Sequence, residues 1–355
     1  MERVGASSYL YMKKPRLAFV YNIRHYYPDP SDPQSQREAD FDDEETIAGI
    51  TQYLEHIADR VIGIEADEDA YVKLMAHRGD IDLVFNYAMG LNGSSRYCHI
   101  PAMLEMLRIP YTGSSPLTQA LIMHKAKMQE VLHGNGLPAL RSVVITAESD
   151  LAGREFAFPC MVKPIAQGSS AGITNKSIAG SAEELREQVR VILRTFREPA
   201  LVQPFLDGRE FSVPMLGPGP RILPFIEPDF SQLPDGYAPI DSLEAKWIFE
   251  ETSATHHLAC PAQAPKGLRD TITGLCMSVW NVFDIKDWCR IDFRCDREGN
   301  PYVLDINSPP GIIPPEISRT SYLPLSARAA GMDYGTVLAA VIQSAIDRYG
   351  LPCAV

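Results

Sequence analysis

The sequence predicts an α/β protein built as three lobes, the first around an open parallel sheet. Three observations carry that prediction. Short apolar runs at residues 16–22, 61–65 and 81–86 alternate with helical stretches, the order of a parallel sheet with crossover helices. From residue 141 to 202 the order becomes strand, strand, loop, helix, strand, which suits a small second lobe. After Gln203 the chain is strand-rich again, and it finishes with a strand pair and two helices. The lobes drawn from these changes are 1–115, 116–202 and 203–355.

Each element has a local cause. In the first helix Ile47, Ile50, Leu54 and Ile57 fall on one face, and Asp42, Asp43, Glu44 and Glu45 crowd its start, where acids favour the macrodipole. A second helical stretch spans 71–77. Residues 86–95, rich in Gly and Ser, then follow the third strand, at the strand carboxyl ends where ligands bind in such folds. Residues 101–107 read as helix, and Pro110-Tyr111-Thr112-Gly113 as the turn that closes the first lobe. One helix is expected over 117–133, stopped by Gly134 and Gly136. The Pro/Asp/Gly loop at 228–239 is long enough to serve as an active-site cover. A helix at 271–282, strands at 289–295 and 302–306, and helices at 323–330 and 334–348 complete the reading.

With 355 residues, 45% hydrophobic and 22% charged, the chain can bury a sizeable core. Its net charge of −12 argues against nucleic acid as a partner. No apolar run reaches the roughly 18 residues that span a bilayer, and residues 1–14 lack the apolar stretch of a signal peptide. Seven scattered cysteines without a Cys-x-x-Cys pair fit reduced thiols better than a disulfide framework or a zinc site. A cytoplasmic protein acting on small molecules, with no membrane partner, is the expectation.

Three clusters carry chemistry. Met161-Val162-Lys163-Pro164 leads into Ala166-Gln167-Gly168-Ser169-Ser170-Ala171-Gly172-Ile173, a strand that delivers a lysine to a loop able to cradle phosphates with backbone N–H groups. Its spacing is neither a Walker loop nor a dinucleotide fingerprint, and a plain hairpin would look similar. Arg290-Ile291-Asp292-Phe293 and Leu304-Asp305-Ile306-Asn307 place Arg290 with Asp292, and Asp305 with Asn307, on shared strand faces. Three oxygen ligands beside an arginine suit Mg²⁺ and a transferring phosphoryl group; a solvated hairpin face is the bland alternative. Gln203-Pro204-Phe205-Leu206, followed by Glu210, is a proline-interrupted strand whose backbone could read an adenine edge, with Glu210 on ribose hydroxyls.

Together these clusters resemble the ATP-grasp superfamily, and within it the D-alanine–D-alanine ligase-like branch, over residues 101–335. The resemblance implies a three-lobed ATP-grasp fold behind an N-terminal parallel-sheet domain. It implies Lys125 and Lys163 as the ATP lysines, with Gly168, Ser169 and Ser170 in the phosphate loop. Gln203, Phe205, Leu206 and Glu210 would hold adenosine, and Lys246 would meet the γ-phosphate from a mobile loop. Arg290 is the implied catalytic arginine, Ser169 and Lys246 act beside it, and Asp292, Asp305 and Asn307 are the metal ligands. Ser321 and Gly311 would contact the amino-acid substrate. ATP, two Mg²⁺ ions (for which Mn²⁺ could substitute) and a homodimer complete what the resemblance implies.

The departures fall on the acceptor side. No Ser-x-Glu amine holder stands in residues 22–38, and residues 88–97 replace the branch's usual His-Gly-x-x-Gly-Glu-Asp-Gly loop. Trp247 stands where the branch has tyrosine, so the Glu–Ser–Tyr link that closes the first-substrate site is not expected. Asp305 replaces a glutamate, and residues 313–318 are extra. The expected reaction is ADP-forming ligation of an amino acid to a phosphorylated acceptor oxygen other than D-alanine's, for example a mycosporine-type cyclohexenone. D-alanyl-D-alanine (or D-lactate) synthesis and a silent ATP-binding protein are the alternatives. His25, Tyr26 and Tyr27 either line the acceptor pocket or form a surface loop. His256 and His257 read as structural and Cys260 as a packed small hydrophobe.

Overall fold

The computed structural model describes residues 13–32, 34–250 and 257–355. The first sheet is three parallel strands in the order β2-β1-β3: β1 Arg16–Tyr21, β2 Arg60–Glu65 and β3 Leu83–Asn86. Helix α1, Glu44–Ile57, joins β1 to β2. Asp43 caps it by accepting from the Thr46 N–H at 2.8 Å, and Ile47, Ile50 and Leu54 are buried. Helix α2, Ala70–His77, joins β2 to β3, and α3, His99–Leu107, follows the loop after β3. Pro110–Thr112 is more than a closing turn. The Val84 N–H donates to the Pro110 carbonyl and the Thr112 N–H to the Val84 carbonyl, so this segment extends the sheet beyond β3.

The helix expected over 117–133 is two helices, α4 Pro116–Met123 and α5 Lys125–Gly134. His124 breaks the run with extended backbone, and its Nδ1 accepts from the Lys127 N–H. The break was invisible in the periodicity because apolar residues continue across it.

The second lobe is a four-stranded antiparallel sheet, β4-β7-β5-β6, from Val143–Ile145, Ala200–Pro204, Cys160–Pro164 and Ile178–Ala179. It is backed by α6, Ala182–Thr195, through Leu185, Val189 and Ile192. The third sheet is β13-β12-β8-β9: Pro301–Asn307, Trp288–Cys295, Glu210–Leu216 and Arg221–Ile222. Helix α7, Lys266–Val282, covers one face of it, and the short pair β10 Glu227–Pro228 and β11 Leu258–Ala259 lies beside it. Helices α8, Tyr322–Ala329, and α9, Tyr334–Tyr349, end the fold. Leu338, Val341 and Ile342 of α9 share one core with Leu17, Phe19 and Phe85, so the end of the chain packs under the first sheet. Among the described residues no helix is long and apolar enough to cross a membrane.

Candidate active site

The second and third sheets enclose a cleft that collects most of the residues singled out in the sequence. Lys125, Lys163, Gly168, Ser169, Ser170, Gln203, Phe205, Leu206, Glu210, Lys246, Arg290, Asp292, Asp305 and Asn307 all line it. Strand alternation explains the lysine of β5. Cys160 and Val162 point into the core, while Met161 and Lys163 face the cleft. Among the described residues nothing accepts a hydrogen bond from Lys163 Nζ, and burial, reinforced by the charge of Lys125, lowers its pKa to about 8. Lys125 is paired, its Nζ donating to Asp305 Oδ2 at 2.8 Å.

The Gly/Ser loop is built under strain. Ser169 and Ser170 adopt φ of 49° and 62°, a conformation side chains rarely take. Among the described residues the N–H groups of Gly168, Ser169 and Ser170 have no acceptor, which leaves them for an anion. A Cβ on Gly168 would meet Tyr97 Oη at 2.6 Å, so the first lobe presses against this loop. Gln36 of the first lobe also accepts from the Gly172 N–H at 2.9 Å. On its other flank the loop is clasped by residues 238–246. Ser170 Oγ donates to the Asp241 carbonyl at 2.7 Å, the Leu243 N–H to the Ile173 carbonyl at 2.7 Å, and the Asn175 N–H to Glu244 at 3.1 Å.

At the expected adenosine end, the Phe205 N–H donates to the Pro159 carbonyl, and Gln203 Nε2 donates to Ser142 Oγ at 2.8 Å. The hinge groups left over are therefore the Phe205 carbonyl and the Leu206 N–H. Burial raises the Glu210 carboxyl to about 7, against the pull of Arg294, whose Nη1 donates to Glu210 Oε2 at 2.9 Å. Arg294 was not anticipated. It also stacks on Phe205 and Phe230 and donates to the Pro239 carbonyl at 2.7 Å, tying the covering loop to the cleft.

On β12 and β13 the register pairs Arg290 with Asn307 and Asp292 with Asp305. A bulge then inserts Leu304, so that Leu304 and Asp305 both face the cleft while Val303 and Ile306 stay in the core. Arg290 grips Asp292 bidentately at 2.8 and 2.9 Å, and the Asp292 charge raises the arginine's pKa against burial. Asp292 also accepts from Ser212 Oγ at 2.6 Å and Asn307 Nδ2 at 2.9 Å. The all-oxygen donor set of Asp292, Asp305 and Asn307 fits a hard divalent cation. Among the described residues no three His, Cys, Asp or Glu side chains could hold one by themselves. Phosphate and water would complete the shell, with Lys125 released from Asp305.

A second cavity of about 600 Å³ opens beside the first, and the two share Ser169, Asp241, Lys246, Arg290 and Asn307. Ser321 and Gly311 both line it; Ser321 Oγ accepts from the Ile313 N–H at 3.0 Å. Of the residues after β1, Tyr27 lines the cavity, whereas Tyr26 is 65% exposed and His25 stands at the surface. Arg24, also unforeseen, stacks over Trp247 and Tyr27 and pairs with Asp43. Trp247 does close a link to the phosphate loop, by donating from Nε1 to the Ser169 carbonyl at 3.3 Å rather than by accepting at a hydroxyl. Asp42 lines the same cavity, its carboxyl raised to about 6 by burial. His257 is buried between Phe230 and Phe249, and His256 lies outside the described residues. The Cys260 thiol is pushed up to about 11 by burial, which suits a packed, inert cysteine.

Comparison with known proteins identifies the family and the fold. Residues 132–343 match the family described as "D-ala D-ala ligase C-terminus". The chain is 31% identical to the uncharacterized protein y4sG of Sinorhizobium fredii over 268 residues, 75% of each chain. It is 32% identical to a D-alanine–D-alanine ligase of Bordetella avium, over 71% of this chain and 75% of that one. Solved structures share the fold at low identity. The D-alanine–D-alanine ligase of Bacillus anthracis complexed with ATP aligns with a TM-score of 0.67 and 19% identity, covering 95% of this chain and 99% of that one. The Coxiella burnetii enzyme aligns with a TM-score of 0.69 and 17% identity, over 95% of both chains. With the family matched over more than half its length, the chain belongs to the D-alanine–D-alanine ligase-like branch of the ATP-grasp ligases.

Proposed function

We propose that the protein activates an acceptor oxygen with ATP and joins an amino acid to it, releasing ADP and phosphate, with an acceptor other than D-alanine. The observation that carries this reading is the meeting of two cavities at Ser169, Lys246, Arg290 and Asn307. A phosphoryl donor in one and an acceptor in the other would approach each other at these side chains.

In this reading Lys163, Lys246 and the free N–H groups of residues 168–170 hold the triphosphate. Leu140, Met161, Phe205 and Leu206 wall in the base, and Glu210 takes the ribose. Mg²⁺ held by Asp292, Asp305 and Asn307 would neutralise phosphate charge. Arg290, locked by Asp292 and the Tyr322 ring, directs its guanidinium to the oxyanion formed when the amine adds. Ser321 and Gly311 orient the amino acid. The Arg24–Trp247–Tyr27 cluster supports an acceptor unlike D-alanine, because it fills the first-substrate wall with rings and a paired arginine.

ADP release with Mg·ATP, amino acids and either D-alanine or cyclohexenone-type acceptors tests the reading. Turnover only with a non-D-alanine acceptor is expected. Turnover with D-alanine alone would establish the second reading, D-alanine–D-alanine ligation, which the 32% identical relative of that name favours. No ADP release with any pair would overturn ligation altogether.

A further inference from the structure

Asp241 was not singled out in the sequence, yet it lines both cavities. Among the described residues its carboxylate has no hydrogen-bond donor and no cation within ion-pair distance, and Oδ1 is buried without a partner. The other acids of the first cavity are engaged, whereas Glu250 of the second cavity also keeps a buried Oε1 without a hydrogen bond. Asp292 takes Arg290, Ser212 and Asn307; Asp305 takes Lys125; Glu210 takes Arg294. The Asp241 charge is felt by Glu210 and Arg290 on the nucleotide side and by Glu250 and Tyr322 on the other, which sets the carboxylate between the cavities. Its position is fixed through its own backbone, since the Asp241 carbonyl accepts from Ser170 Oγ at 2.7 Å. Asp241 is half-buried, but a buried carboxylate oxygen left unpaired costs stability, so a cationic partner supplied by a substrate is the natural complement.

We infer that Asp241 receives the ammonium group of the amino-acid nucleophile and accepts the proton it must lose before attack. The inference rests on the ligase reading above. An amino acid arrives as R–NH₃⁺, which has no lone pair to give. Transfer of one proton to Asp241 leaves R–NH₂. Its nitrogen lone pair forms the C–N bond at the carbon that bears the phosphorylated oxygen, and the C–O bond breaks with its electrons on the departing phosphate. The second nitrogen proton leaves with that phosphate as HPO₄²⁻, and Asp241 later returns its proton to water. Lys246 and Arg290 cannot play this part, because both are cations and donate only.

The test compares wild type with Asp241→Asn, an isosteric change, using ADP and adduct formation from a working acceptor. Two nucleophiles are used: an amino acid, and hydroxylamine, whose nitrogen is largely unprotonated at neutral pH. General-base loss typically costs about 100-fold or more, so adduct formation with the amino acid should fall by about that factor. Hydroxylamine should recover at least tenfold of the loss, and acceptor phosphorylation, read by positional isotope exchange in ATP, should fall less than the amine step. Equal loss with both nucleophiles, or a wild-type level with the amino acid, would overturn the role while leaving the ligase reading intact. A wild-type protein that forms neither ADP nor adduct with any acceptor would instead overturn the ligase reading, and this role with it.

Discussion

Trp247 donates its indole N–H to the Ser169 carbonyl at 3.3 Å, while the Arg24 guanidinium lies 4.8 Å from the centroid of the same ring. Trp247, in the helical turn Ala245–Phe249 of the third lobe, thus bonds the phosphate loop and stacks under a residue of the first lobe. Three lobes meet at a single side chain.

Trp247→Phe keeps a ring beneath Arg24 and deletes the N–H. One hydrogen bond of this kind is worth about 1 kcal/mol, roughly fivefold in an equilibrium constant. The KM of the second-cavity substrate should rise about that much with little change in the KM for ATP. Trp247→Ala also removes the stacking and should lose tenfold or more. Steady-state kinetics with each substrate varied in turn decides it; an equal rise in both KM values would mean that the link only stabilises the loop.

How much of this was legible follows from what each feature depends on. Helix α1 and the β12–β13 pair were readable because their causes are local: an acid-rich start with an apolar stripe, and strict alternation around a turn. The bulge at Leu304 was not, since alternation alone would have sent Leu304 and Asp305 to opposite faces. The break at His124 was hidden by apolar residues on both sides. Lys163 was found from its strand-to-loop pattern, Arg290 from strand alternation and Lys125 through motif likeness, but Arg24, Asp241 and Arg294 were not found. Arg294 and Arg24 meet partners far along the chain, Glu210 and Trp247, and Asp241 meets a cavity that no local pattern encodes. The sequence showed that position 247 lacks the tyrosine hydroxyl, but not that the Trp247 indole N–H donates to the Ser169 carbonyl, since that approach is set by the fold.

Lys163 gives a pH signature. Burial and Lys125 hold its pKa near 8, below an ordinary lysine, so it is charged below that pH and loses its proton above it. ATP phosphates favour the charged form. Affinity for ATP should therefore weaken as pH rises through about 8, and binding above that pH should draw a proton from the buffer. Calorimetry in buffers of different ionisation enthalpy measures the uptake. Lys163→Arg, charged throughout, should take up no proton; persistent uptake in that variant would assign the effect to another group.

The Lys125–Asp305 pair at 2.8 Å predicts competition between a lysine and a metal for one carboxylate. Asp305→Ala should raise the Mg²⁺ concentration needed for half-maximal turnover by about tenfold or more, since even outer-shell losses cost that much. Chelator should abolish wild-type turnover. An unchanged metal requirement in Asp305→Ala would remove this residue from the ligand set.

Asp40 tests how the first lobe supports the phosphate loop. Its Oδ2 accepts from Arg96 at 2.6 Å and from Tyr97 Oη at 2.8 Å, and the Asp40 and Arg96 side chains are each only 5% exposed. Removing one partner of such a buried pair leaves an uncompensated charge and costs about 3–5 kcal/mol. Asp40→Ala should lower the urea unfolding midpoint accordingly, and Asp40→Ala with Arg96→Met should recover part of the loss because no charge remains stranded. Since Tyr97 and Asp40 both abut Gly168, the single variant should also raise the KM for ATP. A loss below about 1 kcal/mol, the range of an exposed pair, would show that water reaches Arg96 and that the first lobe does not brace the loop through this contact.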